Sequence, residues 1–169
     1  TIIVDRPIKE AKLSLNDGYA IAEHYLKQFG YEKLQLLHSQ QFDREGVYTF
    51  IPIQDDVRIF PDKLTVKVAL DNGDIMGLNA KEYLYNHRER KLEKPALSLE
   101  EAKSKVNDNF TVLEEHMALI TNRIQEEVLV YEFIGTMNDE TFRIFINAMD
   151  GKEEKVEKLT GTETNFDIT

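Results

Sequence analysis

One five-residue string occurs twice in this chain, and it constrains the fold more than any other feature. Leu13-Ser14-Leu15-Asn16-Asp17 returns as Leu97-Ser98-Leu99-Glu100-Glu101. Both copies have the form of a helix start. Ser98 can accept the backbone N–H three residues on while Glu101 reaches back to the N–H of Ser98, and Ser14 with Asp17 makes a weaker version of the same capping box. After the first copy, Leu15, Tyr19, Ala22, Tyr25, Leu26 and Phe29 fall at three- and four-residue spacings before Gly30, which predicts one apolar stripe on an amphipathic helix.

Such a stripe needs a flat surface to cover, and strand-like segments follow at once. Leu34–Leu36, Val47–Ile51 and Leu64–Leu70 carry β-branched and aromatic residues, and Asp71-Asn72-Gly73-Asp74 predicts a two-residue type I′ hairpin into Ile75–Leu78. The second half repeats the series with Val112–Ile120, Val128–Ile134, Thr141–Ala148, an Asp150-Gly151 turn and Lys155–Leu159. The expected fold is therefore α+β: a helix on an antiparallel sheet of about four strands, twice. The first copy is the longer, and its surplus falls in the charged, proline-containing segment 54–63, read as an insertion beside an edge strand. Residues 80–92 read as a short helix and a charged linker, placing the boundary between domains 1–92 and 93–169. Thr1–Asp5 resembles the final strand of a preceding unit, able to pair with the first sheet, and the polar end 160–169 reads as a fraying terminus.

Composition narrows the chemistry. The 169 residues include 31 Asp and Glu against 21 Lys and Arg, a net charge of -10, and no Cys. Thiolate zinc sites, disulfides and cysteine nucleophiles are excluded, and the negative field disfavours nucleic acid and bare anionic membrane. No apolar run approaches the ~20 residues of a bilayer span. His24, His38, His87 and His116 lack metal-binding spacing and read as surface histidines. The doublets Asp55-Asp56, Glu100-Glu101, Glu114-Glu115, Glu126-Glu127 and Glu153-Glu154 read as solvated surface, since adjacent strand residues face opposite ways. Gly-x-Ser-x-Gly is absent, Asp71–Asp74 is too short for a calcium loop, and the 8 glycines form no phosphate-cradling loop. No residue is assigned a catalytic, cofactor-binding or metal-binding role.

The capped helix, the meander and the run Val68-Ala69-Leu70-Asp71-Asn72-Gly73-Asp74-Ile75-Met76-Gly77 together resemble the PepSY domain family, in both halves. The longer strings Val57–Asp62 with Lys67–Gly73, and Tyr131–Thr136 with Glu153–Leu159, resemble the branch of that family found in Bacillus spore-germination proteins. The second half departs from the pattern where Lys155-Val156-Glu157 stands in place of a strand containing Gly77. The resemblance implies a non-enzymatic interaction module acting with a cortex-lytic enzyme of the SleB type in cortex peptidoglycan breakdown, by stabilising, placing or restraining it. It also implies an extracytoplasmic location at the spore inner membrane or cortex and a membrane anchor outside this sequence. Three alternatives stay open: a PepSY-type inhibitor or propeptide-like chaperone of an envelope protease, a hydrolase using a pair such as Glu114 and Glu115, and an architectural spacer. Two surfaces could serve a partner: unpaired strand edges, unless the 54–63 insertion and the inter-repeat helix cover them, and the apolar residues of Val57–Pro61.

Overall fold

The computed structural model describes residues 1–159; the expected fray at 160–169 lies outside the described residues. In chain order the elements are β1 (Ile2–Ile3), α1 (Leu15–Gln28), β2 (Leu34–Phe42), β3 (Glu45–Gln54), β4 (Val57–Ile59), a 3₁₀ turn (Phe60–Asp62), β5 (Leu64–Ala69) and β6 (Ile75–Asn79). There follow α2 (Lys81–Asn86), α3 (Leu99–Lys103), β7 (Thr111–Thr121), β8 (Glu127–Met137), β9 (Glu140–Asn147) and β10 (Glu153–Leu159). This is the α+β fold expected from the repeat. The described chain divides into two compact units: residues 1–53 with 62–87, and residues 54–61 with those from 88 onward.

In the first unit the strands run β1-β6-β5-β3-β2, each antiparallel to its neighbour. Alternation along β5 sends Leu64, Val66 and Val68 to one face, where they meet Tyr48, Phe50 and Leu78 beneath α1. The helix buries Ala22 and Leu26, with Leu15, Tyr19 and Tyr25 beside them, as the stripe predicts. Its N-terminus carries a complete capping box, with Ser14 accepting from the N–H of Asp17 at 3.0 Å and Asp17 accepting from the N–H of Ser14 at 2.9 Å. Its end is a Schellman motif: Gly30, at φ 82°, donates to Lys27 O and the next N–H, from Tyr31, returns to Leu26 O. The expected first strand is also present, with Ile2 and Ile3 opposite Leu78 and Gly77 of β6.

The second unit runs β4-β7-β8-β9-β10. Its helix, α3, is only five residues long, shorter than the repeat suggests. After Lys103 the backbone tightens into i→i−3 turns at Lys105 and Val106, yet Val106 and Phe110 still reach the core with Ala102, Leu119, Tyr131, Phe133 and Ile144. The segment read as an insertion supplies β4, which pairs in parallel with β7 through Val57, Arg58 and Ile59 opposite Met117, Ala118 and Leu119.

Two turns differ from expectation. At Asp71-Asn72-Gly73-Asp74 only Gly73 has positive φ, at 86°, so this is not a type I′ turn. Leu70 leaves the ladder, donating to Arg44 O and accepting from Lys12 and Leu13, and the hairpin closes as a wider loop through Ala69 N–H to Asp74 O at 2.8 Å. The second unit repeats this loop bond for bond, with Ala148 donating to Leu129 O and accepting from Ala96 and Leu97. Pairs with both φ positive, the mark of type I′, stand instead at Asp55-Asp56 and Asn138-Asp139.

A tyrosine from the sheet pins each helix start. Tyr131 Oη donates to Leu97 O at 2.6 Å, whereas Tyr48 Oη reaches further along its helix, to Leu15 O at 2.5 Å. Gly18 makes that reach possible, because a Cβ there would lie 2.1 Å from Tyr48 Oη; the repeat puts Ala102 at the matching position. Replacing Gly18 by Ala is therefore expected to cost about 1–3 kcal/mol through overpacking in spite of the better helix propensity of Ala, measured by urea unfolding.

Candidate functional site

Three charged residues stand alone in apolar runs: Arg58 in Val57-Arg58-Ile59-Phe60, Glu132 in Val130-Tyr131-Glu132-Phe133-Ile134 and Arg143 in Phe142-Arg143-Ile144-Phe145. Strand alternation turns all three to the face opposite α3, one each from β4, β8 and β9. All are buried; Glu132 is 0% exposed, Arg143 2% and Arg58 6%. Charges at that depth persist only when paired.

Glu132 is the hub. Arg143 Nε donates to Glu132 Oε2 at 2.9 Å, and Arg143 Nη1 donates to Glu157 Oε2 of β10 at 3.2 Å. Arg58 Nε lies 3.3 Å from Glu132 Oε1, an ion pair whose geometry is too oblique for a hydrogen bond and leaves both atoms without one. Phe60 covers the pair of guanidiniums, with its ring centroid 5.8 Å from Arg58 Cζ and 5.9 Å from Arg143 Cζ, and meets Phe145 edge-on at 5.3 Å. Burial pushes the Glu132 carboxyl up, opposed by the two arginines, and pushes the Arg58 guanidinium down. His116 lies directly across from Glu132 in the β7–β8 register, and burial, with Arg58 and Arg143, lowers it to about 4 against the pull of Glu114.

A second ionic contact fastens the segment after α2. Arg90 donates in a fork to Glu127 through Nε and Nη2, both at 2.9 Å, and Arg88 Nη2 adds a third bond at 3.0 Å. Gln54 pairs with the Arg90 backbone in both directions, accepting its N–H at 2.9 Å and donating to its carbonyl at 2.5 Å. Leu92 packs on the core beyond. These bonds, the Arg90 fork first, hold the Glu127 carboxyl below the usual carboxylate range. Residues 88–93 form one wall of a cleft of about 390 Å³, faced by Leu119, Leu129, Asn147 and Met149. In the first unit a separate cleft of about 460 Å³ is lined by Leu26, Tyr31, Leu34 and Phe50, with Lys27 and Lys33 at its rim.

The acidic doublets do not converge. Asp55-Asp56 forms a turn; Glu101 caps α3; Glu115 pairs with Lys103 at 3.0 Å while Glu114 lies on the opposite face of β7; and Glu127 is held by the two arginines. Asp71 is engaged by Arg6, which donates to both its carboxylate oxygens at 2.9 Å and also reaches Asn72 and Asp74. That arginine holds the Asp71 carboxyl well below its usual range. The histidines are not all at the surface: His24 is exposed, His38 and His116 are half-buried, and His87 Nδ1 lies 3.0 Å from Asp62 and stacks on Tyr83. Among the described residues no three His, Asp or Glu side chains gather as metal ligands.

The edges open to a partner are limited by the same features. β4 occupies the β7 edge over Met117–Leu119, and β10 carries Glu153, Glu154, Lys155, Glu157 and Lys158, a composition that discourages edge pairing. Arg58, Glu132 and Arg143 were not among the residues singled out from the sequence. The signal that finds them is a lone charge flanked on both sides by apolar strand residues. Truncating Glu132 to Ala leaves two guanidiniums facing one another in the interior and is expected to cost about 3–5 kcal/mol, read from urea unfolding. Replacing Arg58, Glu132 and Arg143 together by Met, Leu and Met is expected to restore stability to that of the parent chain or above.

Residues 1–93 match the family described as YpeB sporulation, PepSY1 and PepSY2 domains, and residues 96–157 match the family described as peptidase propeptide and YPEB domain. The chain is 48% identical over 164 residues to the sporulation protein YpeB of Halalkalibacterium halodurans, covering 97% of this chain and 37% of that protein. It is 46% identical over 164 residues to the sporulation protein YpeB of Bacillus subtilis, covering 96% of this chain and 36% of that one. The chain thus spans a little over a third of the length of these relatives. The solved C-terminal domain of Bacillus megaterium YpeB superposes with a TM-score of 0.88 at 47% identity, covering 94% of this chain and 71% of that one. No helix among the described residues is long and apolar enough to cross a membrane. On these matches the chain belongs to the YpeB family of sporulation proteins, and it carries that family's PepSY units in tandem.

Proposed function

We propose that this chain is a non-catalytic interaction module of a spore-germination protein, acting with a cortex-lytic enzyme of the SleB type during cortex breakdown. Identity of 46–48% to YpeB proteins along almost the whole chain carries the reading. The disposition of the acidic groups supports it: Glu101, Glu115, Glu127, Glu132 and Asp71 are each engaged in a cap or an ion pair, which leaves them poorly placed to act on a substrate. In this reading residues 1–92 and 93–169 are the two PepSY repeats, set at the extracytoplasmic face of the spore inner membrane or in the cortex.

The match of residues 96–157 to a peptidase propeptide family favours a second reading, a brake or folding aid for an envelope protease. Calorimetric titration of the chain with a purified SleB-type enzyme at two salt concentrations separates the two. The first reading expects micromolar or tighter binding, with a salt dependence that reports the contribution of the acidic surface. Absence of binding, together with slowed cleavage by an envelope protease, would support the second. The isolated chain is expected to release no muropeptides from cortex peptidoglycan, and release that disappears in Glu114→Gln/Glu115→Gln would overturn the non-catalytic assignment.

A further inference from the structure

Strand β4 is short, pairs with β7 through only three residues, and carries one buried charge. That charge is poorly served: Arg58 Nε and Nη2 make no hydrogen bond, and its ion pair with Glu132 is oblique. Beside it on β7, two residues from Ala118 and on the same face, stands His116 with its Nε2 buried and without a hydrogen-bond partner. The charged groups around His116 come from every strand of the unit. Arg58 on β4 and Arg143 on β9 oppose a proton on the ring; Glu114 on β7 favours one; Glu132 on β8 lies directly across in the register; Glu157 on β10 is engaged by Arg143 and Lys155.

We propose that β4 is a latch over the β7 edge, released when His116 takes up a proton. A protonated ring adds a third cation beside two guanidiniums; Arg143 is held by both Glu132 and Glu157, whereas Arg58 has only its oblique pair with Glu132 and is the weakest-held. Once β4 leaves, water reaches His116, and the backbone of Met117–Leu119 is free to accept an extended segment as an added strand. Rebinding requires a residue that returns a guanidinium to Glu132, so the segment that fits carries the pattern of β4 itself: β-branched, Arg, β-branched, aromatic. This inference does not depend on which enzyme the chain serves.

The direction with pH follows from the histidine. Closed, the ring is held near 4; open, it returns to its ordinary 6.5. The contribution of the histidine to opening is therefore flat only well above pH 6.5 and becomes more favourable as pH falls toward 4, by about 20-fold between pH 7 and pH 5; the Glu132 carboxyl, pushed up by burial, acts with the opposite sign where it titrates.

Hydrogen exchange of the 169-residue chain, followed at pH 7 and pH 5 and corrected for the intrinsic chemical rate, tests the latch. Amides of 57–60, and those of 116–120 that face β4, are expected to exchange faster than those of Phe133 and Ile144 at both pH values, and to accelerate by about 20-fold between pH 7 and pH 5. In His116→Gln that acceleration is expected to vanish. Arg58→Met, which removes one of the two cations facing the ring, is expected to shrink it if His116→Gln does not fold. Three results would each overturn the proposal: exchange at 57–60 no faster than at Phe133 and Ile144, rates unchanged between pH 7 and pH 5, or an undiminished acceleration in the variants.

Discussion

A carboxylate with no solvent exposure sets the terms for the second repeat. Burial pushes the Glu132 carboxyl up, and the guanidiniums that oppose this shift approach from two other strands, one of which is β4. The requirement for a cation thus becomes a requirement for a particular piece of backbone on the β7 edge. Hydrophobic burial of Val57 and Ile59 supplies most of the adhesion, at roughly 1.5–3 kcal/mol for each fully buried side chain, and already disfavours a one-residue slip. Arg58 adds to that preference: moving β4 by one residue would put its charge among the apolar residues beneath α3 and leave Glu132 with a single partner.

The two repeats use one plan with different fastenings. Both have a capping box, a tyrosine bonded to a carbonyl at the helix start, and the same wide hairpin loop. They part where side chains are asked to hold irregular backbone. In the first unit Arg6 grips Asp71 and Asp74 of the loop; in the second, Met149 and Lys152 stand in the corresponding places, and an arginine grips the start of β8 instead. The long helix α1 gives way to the short α3, with Val106 and Phe110 filling the space from a turn. Core volume is kept while the element supplying it changes, in accord with the tolerance of cores to volume-conserving rearrangement.

Much of this was legible in the sequence because it is periodic. The apolar stripe of α1, the alternation in β5 and β8, and the repeated Ser capping residues each fix an element without reference to the rest of the fold. β4 was not legible: three residues show no period, and Asp55-Asp56 before them read as surface acids although their positive φ makes them the tightest kind of hairpin turn. Asn72-Gly73 misled for the converse reason, since a strong local turn preference yielded to Leu70, whose backbone is recruited by Arg44, Lys12 and Leu13. The engagement of the acids could not be read from composition, because Asp71 and Glu127 are tied to arginines by contacts remote in sequence.

A double-mutant cycle between Arg58→Met and Glu132→Gln, measured by urea unfolding, tests most directly whether the buried carboxylate holds β4 in place. The account predicts a favourable coupling of about 1–3 kcal/mol between the two residues. Additive effects, with a coupling indistinguishable from zero, would show that β4 is held by Val57 and Ile59 alone and would contradict it.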